Sequence, residues 1–123
     1  MKNNDQIIRD FAAAWQRLNA DELAGYFTED AIYHNIPMEI ITGRENIRSF
    51  LAEFLGGTSG ITFEIRHQIS SGNLVFNERV DHSIWGGKKV ALPVAGVFEL
   101  ENGRIKAWRD YFDLEMFNKA LAA

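Results

Sequence analysis

Two aspartates and one arginine lie at strand-like positions from which they could carry out paired acid–base chemistry. Alternation along the segment Asn-Glu-Arg-Val-Asp-His at 77–82 places Arg79 and Asp81 on one face of a strand. Asp110 comes later in the chain, between two large aromatic residues that share its face, so we expect it to point inward. An arginine donates bidentate hydrogen bonds to carboxylates and keeps its own proton. If the three side chains meet, Arg79 bridges the two aspartates and fixes their separation.

The chemistry expected of this cluster follows from its charges. Desolvation in an apolar pocket raises the pKa of a carboxyl group, and a neighbouring cation lowers it. Two carboxyl groups close together cannot both ionise cheaply, so one stays protonated as an acid while the other is an ionised base. Tyr33 and Asn35 share a face of an earlier strand and would add a phenol and an amide. Trp108 and Phe112, on either side of Asp110, are the rings expected to contact a substrate.

Each of these residues also has a purely structural explanation. An Arg-x-Asp pair on a strand is commonly a surface ion pair that contributes little to stability. Asp110 could lie on a half-exposed strand beside amphipathic rings. Tyr33 could be a core tyrosine whose hydroxyl is hydrogen-bonded, and Asn35 a residue at the edge of a loop. Only the coincidence of all five residues favours the functional interpretation.

The first half of the chain is predicted to be mostly helical. Apolar residues recur every three or four positions over 4–18, which indicates one buried helix face. Asn19 with Glu22, and Thr42 with Glu45, have the spacing of capping boxes. These signals predict helices at 4–18, near 20–27 and from Thr42 to a stop at Gly56 and Gly57, with a strand at 31–36 between the last two.

The second half is predicted to form strands. Alternation and turn signals place strands at 61–67, 74–85, 88–100 and 105–112, with a closing helix from Asp113. The Gly-Gly pair at 86–87 and the Asn-Gly pair at 102–103 are hairpin turns. Pro93 indicates a sheet edge or a bulge within the third of these strands. Helices followed by an antiparallel meander indicate an α+β fold, and 123 residues without a linker indicate one domain over 1–123.

Composition excludes several classes of function. Thirteen Lys and Arg against 17 Asp and Glu give a net charge of −4. So acidic a chain is not expected to bind nucleic acids or anionic membranes, which require a basic surface. Without Cys there is no disulfide or thiolate metal site, and the three histidines lack metal-binding spacing. No nucleotide or flavin motif occurs, so we expect no metal and no cofactor. The absence of Cys and the polar start of the chain, without an apolar leader, predict a cytoplasmic location.

Three segments resemble the limonene-1,2-epoxide hydrolase family: 33–37, 77–81 and 103–113. This family belongs to the SnoaL-like, nuclear-transport-factor-2-like superfamily, and the order and spacing of the segments match it over nearly the whole chain. The resemblance implies a cystatin-like α+β fold, in which N-terminal helices pack on a strongly curved mixed or antiparallel sheet that forms a cone with a deep pocket. It also implies self-association as a homodimer through the outer sheet face.

The resemblance implies a role for each of the five polar residues. Asp110 corresponds to the base that activates water, and Tyr33 and Asn35 hold that water. Asp81 corresponds to the acid that protonates the epoxide oxygen, with Arg79 between the two aspartates. The expected activity is cofactor-independent addition of water to a small apolar epoxide in one step, which gives a vicinal diol. The alternatives are a ketosteroid-isomerase-like or polyketide-cyclase-like enzyme and a non-catalytic module that binds small ligands.

Overall fold

One curled six-stranded sheet, against which the helices pack, organises the computed structural model, which describes residues 2–123. The strands are β1 (Phe27–Asn35), β2 (Ile41–Thr42), β3 (Gly60–Ser71), β4 (Leu74–Trp85), β5 (Lys88–Glu101) and β6 (Arg104–Tyr111). The helices are α1 (Asn4–Ala14), α2 (Ala20–Ala24), α3 (Arg44–Gly56) and α4 (Leu114–Ala122), with a 3₁₀ turn at Trp15–Arg17. This arrangement confirms the predicted α+β class.

The strand order is β2-β1-β6-β5-β4-β3. All neighbouring strands are antiparallel except β1 and β6, which run parallel, so the sheet is mixed. The parallel pair places the first strand of the chain beside the last one. Three strands that are distant in sequence (β1, β6 and β4) can therefore contribute side chains to one face of the same sheet.

Helix α1 buries its apolar face against the sheet. Asn3 caps the helix, since its side-chain oxygen accepts a hydrogen bond from the Gln6 amide at 2.8 Å. Ile8, Phe11 and Trp15 follow the predicted helical spacing and are buried in the main core. The predicted helix at 4–18 is thus α1 followed by the 3₁₀ turn. None of the helices described for residues 2–123 is long and apolar enough to cross a membrane.

The capping box expected at Thr42 does not form, and that part of the prediction is wrong. Helix α3 begins at Arg44, after Gly43, whose φ is 93° and whose lack of a side chain leaves the helix without a side-chain cap. Thr42 lies in β2 and pairs with Ile32 of β1. The sheet hydrogen bonds of β2 therefore hold Thr42 in an extended conformation. The Asn19 cap is present, because its side chain accepts a hydrogen bond from the Glu22 amide at 3.0 Å.

The strands predicted for the second half are present, and the largest difference is in β3, which continues from the predicted end at His67 to Ser71. β4 has the predicted bounds, and the hairpin turn after β5 has positive φ at both Asn102 (50°) and Gly103 (79°), as a two-residue hairpin turn requires. β5 is internal to the sheet, but its pairing with β6 runs only from Ala95 to Glu101. Pro93 therefore has a strand partner on the β4 side alone, so the predicted edge position exists locally.

β1 begins four residues earlier than predicted, at Phe27 rather than Ala31. Its first part contains Glu29 and Asp30, which have low strand propensity. Phe27 nevertheless pairs with Ile105 of β6, and the register shifts between Phe27 and Ile32. Sheet pairing and burial of Phe27 in the core outweigh the local preference of the acidic residues.

Candidate active site

Arg79 joins the two aspartates in the structure, as the sequence predicted. Its Nε and Nη2 donate to the two oxygens of Asp81, each at 2.9 Å. Its Nη1 and Nη2 donate to the two oxygens of Asp110, at 3.2 Å and 2.7 Å. Because Nη2 contacts the Oδ2 atoms of both aspartates, those two oxygens lie no more than about 5.6 Å apart. The guanidinium therefore holds two carboxyl groups at a fixed, short separation.

The three charged groups are buried to different degrees. The side chain of Arg79 is fully buried, that of Asp110 is 5% exposed and that of Asp81 is 17% exposed. Burial raises the pKa of Asp81, and the nearby charge of Asp110 acts in the same direction, while the charge and hydrogen bonds of Arg79 oppose the rise. Burial alone would lower the pKa of Arg79, but the two carboxylates raise it above its usual value. Arg79 therefore remains a cation, and Asp81 is protonated more readily than an ordinary aspartate.

Both carboxylate oxygens of Asp110 accept hydrogen bonds from neighbouring side chains. Besides Arg79, Trp108 donates from Nε1 to Oδ1 of Asp110 at 2.6 Å. The backbone carbonyl of Asp110 accepts a hydrogen bond from the Ile36 amide at 2.9 Å. Because an ionised carboxylate only accepts hydrogen bonds, this set of donors suits the ionised form of Asp110.

Tyr33 and Asn35 reach the same site from β1. The parallel register pairs Tyr33 with Trp108 and Asn35 with Asp110. The Tyr33 ring stacks on Trp108 with centroids 4.3 Å apart and an angle of 9° between the planes. Burial, followed by the charge of Asp110, raises the pKa of Tyr33 well above its ordinary range. Its hydroxyl is therefore a neutral donor at any pH at which the protein functions.

The two predicted substrate-contacting rings have different locations. Phe112 lines the wall of a cavity that Asp81 and Asp110 also line. Trp108 is fully buried behind Asp110 and lies outside the cavity wall. In this position its indole N–H donates to Asp110 and its ring stacks on Tyr33.

A cavity of about 350 Å³ opens in front of these groups. Tyr33, Asn35, Asp81 and Asp110 form one polar region of its wall. Most of the rest is apolar, with side chains from the 3₁₀ turn, the sheet, helices α3 and α4 and the loops after β1 and β6: Trp15, Met38, Phe50, Phe54, Ile61, Phe63, Trp85, Leu92, Val94, Phe112, Leu114, Phe117 and Leu121. A small lipophilic molecule fits such a space, with its reactive centre against the polar region. No group of three or more His, Cys, Asp or Glu side chains arranged to hold a metal ion occurs among residues 2–123.

Two residues with contacts to the guanidinium were not predicted from the sequence. Asn77 is buried and accepts a hydrogen bond from Nη1 of Arg79 at 3.0 Å. The ring of Phe63 lies 4.8 Å from the guanidinium carbon, in a cation–π arrangement. Strand alternation carries a signal for Asn77, because it lies two residues before Arg79 and so shares its face. Nothing in the local sequence distinguishes Phe63 from other core aromatics.

Comparison with known proteins gives a consistent result. Residues 2–122 match the family model described as the limonene-1,2-epoxide hydrolase catalytic domain. The chain is 34% identical over 117 residues to epoxide hydrolase EphG of Mycobacterium tuberculosis, which covers 93% of this chain and 76% of that protein. It superposes with a TM-score of 0.85 on a solved M. tuberculosis protein described as an LEH-like epoxide hydrolase, at 31% identity, with 97% of this chain and 89% of that chain covered.

A more distant structural match shows how widely the fold occurs. A protein described as a putative SnoaL-like polyketide cyclase from Shewanella putrefaciens superposes with a TM-score of 0.86, over 99% of this chain and 98% of that one. Its sequence identity to this chain is only 22%. This second match therefore concerns the fold alone.

Proposed function

The chain belongs to the limonene-1,2-epoxide hydrolase family and is an epoxide hydrolase, and from this premise we propose that it opens a lipophilic epoxide with water in one step. In this proposal Asp110 is the general base, Asp81 is the general acid, and Arg79 holds them together. Tyr33 and Asn35 bind the attacking water. No cofactor takes part, because the strained ring supplies driving force and both proton transfers come from side chains.

Each bond change has a residue assigned to it. The water oxygen attacks one epoxide carbon while Asp110 takes a proton from the water. The ring C–O bond on that carbon breaks, and Asp81 gives its proton to the departing oxygen, so the product is a vicinal diol. Asp110 is then protonated and Asp81 ionised, and one proton must move back from Asp110 to Asp81 to restore the enzyme. Each positioned proton transfer contributes about 10²–10⁴-fold to the rate.

The single observation that carries this proposal is the bridge made by Arg79. Its Nη2 lies 2.9 Å from Asp81 and 2.7 Å from Asp110, so an acid and a base are presented together to one small volume. The raised pKa of Asp81 supports its role as the acid. The donors around Asp110 support its role as the ionised base.

The cavity supports a hydrophobic substrate. Apart from the polar region and the side chains of His82, Ser83 and Asn118, its wall is apolar. An epoxide with a hydrocarbon skeleton therefore loses little solvation when it binds. The volume of about 350 Å³ limits the skeleton to a small molecule. Turnover on a panel of terpene, cyclic meso and aryl epoxides would identify the preferred skeleton.

A single turnover in ¹⁸O-labelled water tests the one-step mechanism. Direct attack by water puts the label into the first diol formed by excess enzyme. Unlabelled diol in that first turnover would show that an enzyme carboxylate attacked the epoxide and formed an ester, which contradicts the proposal. Proton exchange α to a ketone, measured beside diol formation, separates it from a ketosteroid-isomerase-like or cyclase-like activity, which needs no arginine between two carboxylates.

We also propose that the protein is a homodimer and that it is cytoplasmic, as the sequence predicted. Phe76 is 44% exposed, and it lies on the face of β4 opposite the buried Arg79, which supports association through the outer sheet face. Light scattering during size-exclusion chromatography measures the mass of the particle. A mass of about one chain at micromolar concentration would contradict the dimer.

A further inference from the structure

The contact between Arg79 and Asp110 has to cross an intervening strand. Arg79 belongs to β4 and Asp110 to β6, and β5 lies between them. Neighbouring strands are about 4.8 Å apart, so the two backbones are separated by about 10 Å. The guanidinium must therefore pass over the inner face of β5, where the side chains of that strand would normally block its way.

The crossing occurs at Gly96. Strand pairing places Gly96 directly between Asn77 of β4 and Asp110 of β6. Along β5 the inner-face neighbours of Gly96 are Val94 and Phe98, both buried, so the glycine leaves the one gap between two large side chains.

The gap is too small for any side chain. A Cβ atom at Gly96 would lie 2.5 Å from Nη1 of Arg79, 2.8 Å from Oδ1 of Asp110 and 3.0 Å from Oδ1 of Asn77. The φ angle of Gly96 is not in the left-handed region, so an alanine could adopt the backbone conformation. The steric requirement for glycine thus comes from the guanidinium and its partners.

Asn77 binds the one N–H group of the guanidinium that neither aspartate accepts. Its Oδ1 accepts from Nη1 of Arg79 at 3.0 Å, and its Nδ2 donates to Oε1 of Gln68 at 3.1 Å. Gln68 in turn donates from Nε2 to the backbone carbonyl of Asp5 in α1 at 3.0 Å. With this contact all five N–H groups of Arg79 have acceptors, and the orientation of the guanidinium is tied to helix α1.

We propose that Gly96 and Asn77 are positioning residues for the reaction: Gly96 opens the path by which Arg79 reaches Asp110, and Asn77 fixes the rotation of the guanidinium within it. The proposal rests on the proposed function, because it assumes that Arg79 must hold an acid and a base in register. Neither residue touches the substrate, and both act through Arg79.

Gly96→Ala is the first test. To reach an ordinary contact distance of 3.4 Å, Nη1 must retreat by about 0.9 Å. A displacement of about 1 Å in a catalytic constellation lowers the rate by about 100-fold. We expect a loss of kcat of that size, with KM within about threefold of wild type because Gly96 does not line the cavity and the apolar side chains of the wall are the same. Gly60→Ala is the matched control, since the same methyl group added to strand β3 meets only Ile84, at 3.6 Å, and kcat should be unchanged.

Two variants of Asn77 give an independent test if Gly96→Ala does not fold. Asn77→Leu removes the acceptor and should lower kcat by about tenfold, the equivalent of one hydrogen bond to a charged group. Asn77→Asp keeps an acceptor oxygen toward Arg79 but loses the amide donor to Gln68 and adds a negative charge near Asp110, so it should recover part of that loss in kcat. A merely structural role would not predict this recovery. A wild-type kcat in Asn77→Leu, or in a folded Gly96→Ala, would overturn the proposal.

Failure of this inference can be told apart from failure of the proposed function. If wild type forms diol and both Asp81→Asn and Asp110→Asn are inactive, the paired-aspartate mechanism stands. Full activity of Gly96→Ala and Asn77→Leu in that case would refute only the positioning roles. Wild-type activity in either aspartate variant would refute the mechanism itself.

Discussion

Replacing each aspartate by asparagine should give two variants that are equally inactive but unequally stable. The catalytic loss follows from the proposed roles, since an amide neither donates an acidic proton nor accepts one. We expect each variant to lose at least about 10²–10⁴-fold in kcat, the contribution of one positioned proton transfer.

The difference in stability follows from the contacts of each carboxylate. Asp110 accepts hydrogen bonds on both oxygens, from Trp108 and Arg79 on Oδ1 and from Arg79 on Oδ2. The NH₂ group of an asparagine at this position must face a donor. It faces either Nη2 of Arg79, at 2.7 Å, or the pair formed by Nη1 of Arg79 and Nε1 of Trp108. Removing one partner of a buried ion pair costs about 3–5 kcal/mol. We therefore expect Asp110→Asn to lower the free energy of unfolding by that amount.

Asp81→Asn should lower the free energy of unfolding less than Asp110→Asn does. The Asp81 side chain is more exposed than that of Asp110, and both of its hydrogen bonds come from Arg79, so one is lost and one kept. Because the raised pKa of Asp81 marks its charged form as unfavourable in the folded protein, a neutral amide also relieves part of that cost. We expect a loss of about 1.5 kcal/mol, the lower value for a hydrogen bond that involves a charged group.

Urea unfolding at neutral pH and diol formation by the same samples measure both effects. Asp21→Asn is the matched control, since the Asp21 side chain is 83% exposed and its ion pair with Arg48, at 3.6 Å, is on the surface. It should leave kcat unchanged and shift stability by less than about 1 kcal/mol. If Asp81→Asn lost as much stability as Asp110→Asn, the inference that the hydrogen bonds of Asp110 contribute more to stability than those of Asp81 would be refuted. Wild-type turnover by either variant would refute the division into acid and base.

Four further predictions concern the same site. Because only protonated Asp81 can donate a proton, kcat/KM should fall as pH rises through the raised pKa of Asp81, and a flat profile in that range would contradict its role. By linkage, the stability that protonated Asp81 contributes is complete below the ordinary pKa of 3.8 and is lost as pH rises through the raised value, so urea titrations of Asp81→Asn against pH should lack this component. Tyr33→Phe removes a neutral donor and should lower kcat by about tenfold with the fold retained; a wild-type kcat would exclude the hydroxyl from water binding. Trp108→Phe loses the 2.6 Å hydrogen bond to Asp110 and should be destabilised by about 1.5–3 kcal/mol in urea, and no change in stability would show that the bond contributes nothing.

Strand alternation predicted most of the site because the site is made from one face of three strands. Arg79 and Asp81 lie two residues apart on β4, and Tyr33 and Asn35 do so on β1, so period two alone places each pair together. That Asp110 faces inward followed from its two aromatic neighbours. Which strands lie side by side is decided by packing over the whole chain, and here the family resemblance supplied what the local pattern lacked.

Other features depend on contacts that no local pattern contains. A glycine within a strand, such as Gly96, indicates a close approach, but the approaching group is known only when β4 and β6 are placed on either side of β5. Trp108 has the spacing of a pocket residue, yet Tyr33 covers its ring and Asp110 binds its N–H. The start of α3 could not be read from Thr42 because pairing with β1 competes with capping, and two residues are too few to show strand periodicity.

The parallel pairing of β1 with β6 also determines when activity can arise during synthesis. Paired residues of the two strands, such as Tyr33 and Trp108, are 75 positions apart. The chain must close this long loop before the contacts between the strands can stabilise it. A nascent chain that ends at β5 already contains Arg79 and Asp81, but it lacks Asp110 and the strand against which Tyr33 and Asn35 are aligned. The enzyme therefore has no partially active precursor: the catalytic centre is complete only after β6, the last of the six strands, has been synthesised.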